Sequence, residues 1–160
     1  MGSSPATFDY AKLDWMNGVY LRELNAGDYA ARLLTWLREQ GTDWPEDRVR
    51  ATVPLVQVKL EKLSQYPDYV RFLFEPVSTD GADAVVSHAA AEVLRTIETW
   101  DAASIEQALR TFVEVEGMKP REAFGAIRLA VTGSKVSPSL FESLELLGRE
   151  TSLSRLEAVG

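Results

Sequence analysis

The chain contains no cysteine and only one histidine. Without cysteine there are no disulfides and no thiolate chemistry, no metal cluster is in prospect, and an intracellular setting is favoured. A histidine-dependent triad would have to be built around His88, whose setting, Ser87-His88-Ala89-Ala90, reads as a helix face. No His-Glu-x-x-His, phosphate-loop or dinucleotide-binding glycine pattern occurs. Carboxylate pairs such as Asp80/Asp83 and Glu142/Glu145 have the spacing of solvated helix faces, so no catalytic role is assigned to them. Long hydrophobic runs are missing too. None approaches the roughly 20 residues of a membrane-spanning helix, and the N-terminus lacks the charged-then-apolar pattern of a signal peptide. The chain is expected to be neither exported nor embedded in a membrane.

Positive charge is in short supply. The 17 lysines and arginines face 24 aspartates and glutamates, for a net charge of −7. Affinity for a phosphate backbone comes mainly from basic side chains displacing counterions, so indiscriminate nucleic-acid binding is disfavoured. The deficit is uneven. Residues 119–160 hold six basic and five acidic side chains, a balance of +1, which leaves −8 on residues 1–118. If the protein touches an anionic polymer, the C-terminal part is expected to make the closer contact. Both balances are equally compatible with plain solvated surface.

What the sequence does hold is helical periodicity. Its 160 residues and 46% hydrophobic content suffice for one substantial core or two small ones. Asp9 can cap a helix over about 10–24 that buries Leu13, Met16, Tyr20 and Leu24, with Gly18 in its middle marking either a close backbone approach or a bend at Asn17-Gly18. Asp28 starts a second helix to about 40, burying Tyr29, Leu33, Trp36 and Leu37 before Gly41. A third is expected over 45–64, kinked near 50–54 by Pro54. Tyr66-Pro67-Asp68 starts another short helix, carrying Val70, Phe72, Leu73 and Phe74. The run Glu75-Pro76-Val77-Ser78-Thr79-Asp80-Gly81 then breaks all periodicity and is read as the domain boundary. Further helices are expected at about 82–99, 103–116, 120–131, 138–147 and 149–157. No long period-2 segment and no repeat is present. The fold class is all-α, in two small helical subdomains, 1–76 and 77–160.

The most informative run is Ala126 to Gly148. A helix should stop at Thr132-Gly133, where glycine takes the left-handed conformation at low cost. The next should begin at Ser137-Pro138, with Ser137 as the cap and Pro138 preset for the first turn. Between them lies a loop edged by Arg128, Lys135 and hydroxyls. Backbone amides at such a helix start suit a phosphate or carbonyl oxygen.

This pattern of arginine, small apolar residues, Thr132-Gly133-Ser134, a short insert, Pro138-Ser139-Leu140-Phe141 and Leu146-Leu147-Gly148 resembles the C-terminal end of bacterial glutamyl-tRNA synthetase, a class I aminoacyl-tRNA synthetase. Phe8 to Arg22 resembles the segment entering that family's anticodon-binding region, and Trp100-Asp101-Ala102 with Gly117-Met118-Lys119 also fits. The resemblance covers nearly the whole chain and is weakest over about 41–98. It implies an anticodon-binding helical bundle that acts in protein biosynthesis in the cytoplasm. The family's catalytic domain carries His-x-Gly-His-like and Lys-Met-Ser-Lys-like signatures, and neither occurs here. The chain is therefore expected to be the non-catalytic C-terminal part of a glutamate–tRNA ligase, monomeric by itself and without a cofactor of its own. ATP and magnesium would serve the catalytic domain of the intact enzyme, which would be its partner together with tRNA-Glu.

The resemblance also implies residue roles. The family's arginine four residues before Thr-Gly, which contacts the anticodon loop, matches Arg128. By itself Arg128 could equally cover the core with its stem and answer the helix dipole with its head. A hydroxyl residue, a proline and a leucine placed against the anticodon bases match Ser137, Pro138 and Leu140. Their plain alternative is a capped helix with Leu140 in the core. Lys135 is either a phosphate contact or an ordinary loop lysine. Where some family members carry an arginine that reads the third anticodon base, this chain offers Gln57 and Lys59, which leaves tRNA-Gln open as a second RNA partner. Two other readings stay open: a helical protein–protein module with an apolar patch across Trp36, Tyr66, Phe72 and Phe74, and an inactive scaffold without selective RNA binding.

Overall fold

A computed structural model describes residues 18–134 and 136–160. Residues 18–23 are helical, followed by α1 (Ala26–Glu39), α2 (Glu46–Val56), α3 (Tyr66–Val70), α4 (Ala84–Arg95), α5 (Ala102–Val115), α6 (Pro120–Thr132), α7 (Leu140–Leu147) and α8 (Arg149–Ala158). Short 3-10 turns, Leu63–Gln65 and Arg71–Leu73, flank α3. Every regular element among the described residues is helical, as the periodicity requires. The front of the helix expected over 10–24, with its Asp9 cap, lies outside the described residues.

The chain divides into two compact units, one up to Asp68 and one from Tyr69. This division falls eight residues before the boundary at 76/77 expected from the Pro- and Gly-containing run. The reason is packing. The turn Arg71–Leu73 lies against α6 and α7, where Phe72 and Leu73 are buried. Apolar side chains choose the unit, whereas the loop composition marks only where helix stops.

In the first unit α1 packs on α2 through Tyr29, Leu33, Leu37, Val49, Val53 and Val56. The cap of α1 is Asn25 rather than Asp28. Asn25 Oδ1 accepts the Asp28 N–H at 2.8 Å, and its amide nitrogen donates to Asp28 Oδ2 at 3.0 Å, so Asp28 is a first-turn acid supporting the cap. Gly41, at φ +78°, closes α1 as expected. Trp36 is only half-buried. Leu21 points inward in place of Tyr20, whose hydroxyl takes a hydrogen bond from Arg32 at 2.7 Å. Gly18 does mark a close approach, since a Cβ there would stand 3.3 Å from the Glu61 Cα.

The helix expected over 45–64 is shorter, ending at Val56. The N–H groups of both Lys59 and Leu60 turn back on the Val56 carbonyl, at 3.0 and 2.9 Å, which tightens the helix into a turn. Pro54 lies within α2 and takes one amide out of its ladder. Tyr66 is fully buried and its hydroxyl lies 2.8 Å from the Thr52 hydroxyl, which also donates to the Val49 carbonyl at 2.6 Å. Burial pushes the Tyr66 hydroxyl's pKa well above the ordinary phenol value, against a smaller opposing effect of the Thr52 hydrogen bond. Burial alone pushes Tyr29 up to about 12.

In the second unit α8 packs on α4, α5 on α7, and α4 also meets α5 and α6. Leu94, Ile105, Leu109, Ile127, Leu144 and Leu156 have no exposed surface. Each such burial contributes about 1.5–3 kcal/mol. Asp83 and Asp101 cap α4 and α5, accepting the N–H groups of Val86 and Ser104 at 3.1 and 2.7 Å. The Ser104 contacts hold Asp101 below the usual carboxylate range.

The Thr52–Tyr66 pair predicts an asymmetry in urea denaturation. Thr52→Val strands a buried phenol and is expected to cost about 1–3 kcal/mol. Tyr66→Phe leaves Thr52 its Val49 carbonyl and is expected to cost less.

Candidate nucleic-acid interface

α6 stops at Gly133, which has φ +69° and donates its N–H to the Leu129 carbonyl at 2.9 Å. Its bare Cα is required twice over. The left-handed conformation disfavours any side chain, and a Cβ would stand 3.0 Å from both the Ser78 carbonyl oxygen and the Val77 Cβ. The Thr132 hydroxyl donates back to the Arg128 carbonyl at 2.8 Å and accepts the Ser134 N–H at 3.2 Å. Ser134 Oγ in turn accepts the Val136 N–H at 3.0 Å. The loop leaving α6 is thus folded on its own hydroxyls, with Val136 70% exposed at its tip.

Arg128 ties the far side of that loop. Its Nη1 donates to Ser137 Oγ at 2.6 Å and to the Pro138 carbonyl at 2.8 Å, with the Ser137 carbonyl at 3.4 Å. The guanidinium therefore does not answer the carbonyls at the end of its own helix, and it does more than cover the core. Among the described residues every hydrogen bond of its head runs from Nη1, which leaves Nε and Nη2 as donors on a half-buried side chain. Tyr69 stands close by. Burial raises its hydroxyl pKa, and the Arg128 charge pulls it back in part.

Ser137 does not cap the next helix. Its hydroxyl is engaged by Arg128, and α7 begins at Leu140, with Ser139 at the cap position making no side-chain bond. The expectation of a helix starting at Pro138 fails because the Pro138 carbonyl is drawn to Arg128 and to Ser143 Oγ, 3.3 Å away. Pro138 is buried and Leu140 is 3% exposed, so neither offers an apolar floor to a base as the chain stands. They anchor the loop from beneath. Hydrogen bonds thus bring Arg128, Ser137 and Pro138 together, Leu140 is buried at the start of α7, and Lys135 lies outside the described residues.

Gln57 and Lys59 belong to the first unit. Gln57 Nε2 donates to the Leu24 carbonyl at 2.6 Å and the Leu21 carbonyl at 3.1 Å, closing the end of helix 18–23. This is a structural use of its amide. Lys59 is exposed, beside Val58 at 63% exposure. Phe124, four residues before Arg128, and Phe141, within the Pro138–Phe141 run, lie in the sequence pattern, but nothing along the chain pointed to Tyr69 or to Arg110 on α5. Its guanidinium carbon lies 5.6 Å from the ring centroids of both phenylalanines.

Other features are structural. His88 Nε2 lies 2.5 Å from the Val159 carbonyl and fastens the C-terminal end to α4. Tyr66 and Phe72 are core residues, so the apolar patch imagined across Trp36, Tyr66, Phe72 and Phe74 does not exist as an uninterrupted surface. Among the described residues, no group of three or more histidines, aspartates or glutamates is placed to hold a metal ion. No helix there is long and apolar enough to cross a membrane.

Two substitutions test the loop. Gly133→Ala is expected to cost about 1–3 kcal/mol in chemical denaturation, through φ strain and the Ser78 contact. Arg128→Ala is expected to cost about 1 kcal/mol and to speed amide exchange at Val136 while leaving α4 and α5 protected.

Residues 28–159 match the family model described as anticodon binding domain. The chain is 44% identical to a glutamate–tRNA ligase from Rhodococcus jostii, over 99% of this chain and 35% of that protein. It is 40% identical to one from Acidothermus cellulolyticus, over 93% of this chain and 33% of that protein. It thus spans about a third of the length of these relatives. A crystal structure of a glutamate tRNA ligase from Elizabethkingia meningosepticum, in complex with its amino acid, superposes with a TM-score of 0.78 at 17% identity, over 93% of this chain and 32% of that one. That likeness establishes the same helical fold. With residues 28–159 matched, the glycine-terminated α6 and the Arg128-tied loop among them, the chain belongs to the anticodon-binding domain family.

Proposed function

We propose that the chain reads the anticodon loop of tRNA-Glu as the C-terminal, non-catalytic part of a glutamate–tRNA ligase. The catalytic domain of the intact enzyme would use ATP and magnesium to glutamylate the bound tRNA. The observation that supports this most is the Arg128 head, which is held by Ser137 and the Pro138 carbonyl through Nη1 alone. A guanidinium positioned in this way loses little further freedom on binding and can present its remaining donors to a base edge. Single-stranded loops are read through such edges and through stacking, and need few phosphate contacts. That mode suits a chain whose net charge is −7. Ser137 acts by orienting Arg128, Pro138 and Leu140 by holding the loop from beneath, and Lys135 by meeting a phosphate.

Gln57 is occupied within the first unit and Lys59 is exposed, so no arginine is available at these positions to reject a third base. The reading accordingly includes tRNA-Gln as a second substrate of the intact enzyme.

The test is a titration with tRNA-Glu, tRNA-Gln and an unrelated tRNA at several salt concentrations. Preference for the first two, lost in Arg128→Ala, is the expected outcome, with an affinity loss of about 1–3 kcal/mol. Equal binding to all three at every salt concentration would sink the proposal.

A further inference from the structure

Beside Arg128 lies an arginine–aromatic cluster that the proposed function does not use. Phe124 sits one turn before Arg128 on α6, and Phe141 is the second residue of α7. Their rings meet edge to face, with centroids 5.5 Å apart and planes at 87°. The Arg110 guanidinium, reaching over from α5, is centred 5.6 Å from each ring centroid. Its side chain is 57% exposed and both rings are half-buried. Nε donates to Glu106 Oε2 at 2.7 Å, and among the described residues this is its one hydrogen bond.

We propose that Arg110, backed by Phe124 and Phe141, forms a stacking position for an unpaired base of the bound RNA loop, next to the nucleotide met by Arg128. This rests on the RNA-binding function proposed above. The guanidinium is flat and weakly hydrated. One side of it is stabilised by the two rings, and its exposure leaves the rest open to a second π system. Glu106 and the rings together hold it in place, so a stacking base meets a surface already ordered. The same Glu106 carboxylate beside the guanidinium repels a phosphate, while an uncharged base face is indifferent to it. Charge therefore selects a base over the backbone. The i,i+4 relation of Phe124 and Arg128 puts the backing ring of Phe124 on the same face of α6 as the reading arginine, their Cβ atoms roughly 5–6 Å apart.

The experiment uses the full chain and RNA hairpins carrying the tRNA-Glu anticodon loop, with 2-aminopurine replacing one loop base at a time. One loop position is expected to change fluorescence on binding. Arg110→Ala and Arg110→Lys should both abolish that change and weaken binding about tenfold, within the range of one stacked base. Lysine keeps the charge but not the plane. If Arg110→Lys binds as the parent does and only Arg110→Ala is weaker, with a salt slope reduced by about one phosphate's worth, the contact is ionic and the stacking position is refuted. If both variants bind as the parent while Arg128→Ala does not, the stacking position is refuted and the anticodon reader stands. A parent chain that fails to bind any hairpin or tRNA overturns both. Circular dichroism melts of the variants, expected within a few degrees of the parent, separate lost contact from lost fold.

Discussion

The guanidinium of Arg128 crosses from the last turns of α6 to Ser137 and the Pro138 carbonyl, and the shape of the loop follows from that crossing. Gly133 turns the chain out of α6 against the Val77-Ser78 segment, and Arg128 draws it in again before α7. With the two ends held, the hydroxyls of Thr132 and Ser134 bond within the loop. The start of α7 is displaced to Leu140 as a consequence. The Pro138 carbonyl takes Arg128 and Ser143 Oγ, and the first backbone bond of α7 runs from the Ser143 N–H to the Ser139 carbonyl instead.

The same economy of cationic heads recurs in the second unit. Arg155 donates to the Val131 carbonyl at the C-terminal end of α6, at 2.7 Å, and to the Glu75 carbonyl at 3.3 Å. Arg149 lies 5.3 Å from the Trp100 ring centroid and donates to the Glu98 carbonyl, while Trp100 Nε1 reaches the Leu144 carbonyl. Arg95 pairs with Glu92 and Glu157. Arginine is spent here on fixing helix ends and connections, where a planar fork of donors satisfies carbonyls that no amide can reach. A net-acidic protein with its cations placed this way has little general attraction for nucleic acid. Any selectivity must come from the few heads left with donors to spare.

Much of this was legible along the chain because it depends on neighbours in sequence. The helix stops at Gly41 and Gly133, the close approach at Gly18 and the apolar faces of α5 and α6 are set by local propensity and by the 3.6-residue period. Where the chain leaves a choice open, one cause recurs: Ser137 suits a helix cap, Gln57 and Leu140 each suit more than one role, and local sequence does not choose among them. In the folded chain each is claimed by a partner elsewhere: the Arg128 guanidinium, the Leu21 and Leu24 carbonyls, and the core. The run 75–81 interrupts the helices, while Phe72 and Leu73 before it belong to the second unit.

By itself, then, the sequence determined the all-α class, the order of the helices, the turn at Gly133 and the residue types gathered around it. These depend on periodicity and on the backbone preferences of single residues. Only tertiary structure decided which nitrogen of Arg128 is used and which is spare, that Pro138 and Leu140 face inward, and that Arg110 meets Phe124 and Phe141. Those outcomes depend on where three helices bring their side chains at short range. Packing of the whole unit fixes that distance, and no spacing along the chain encodes it.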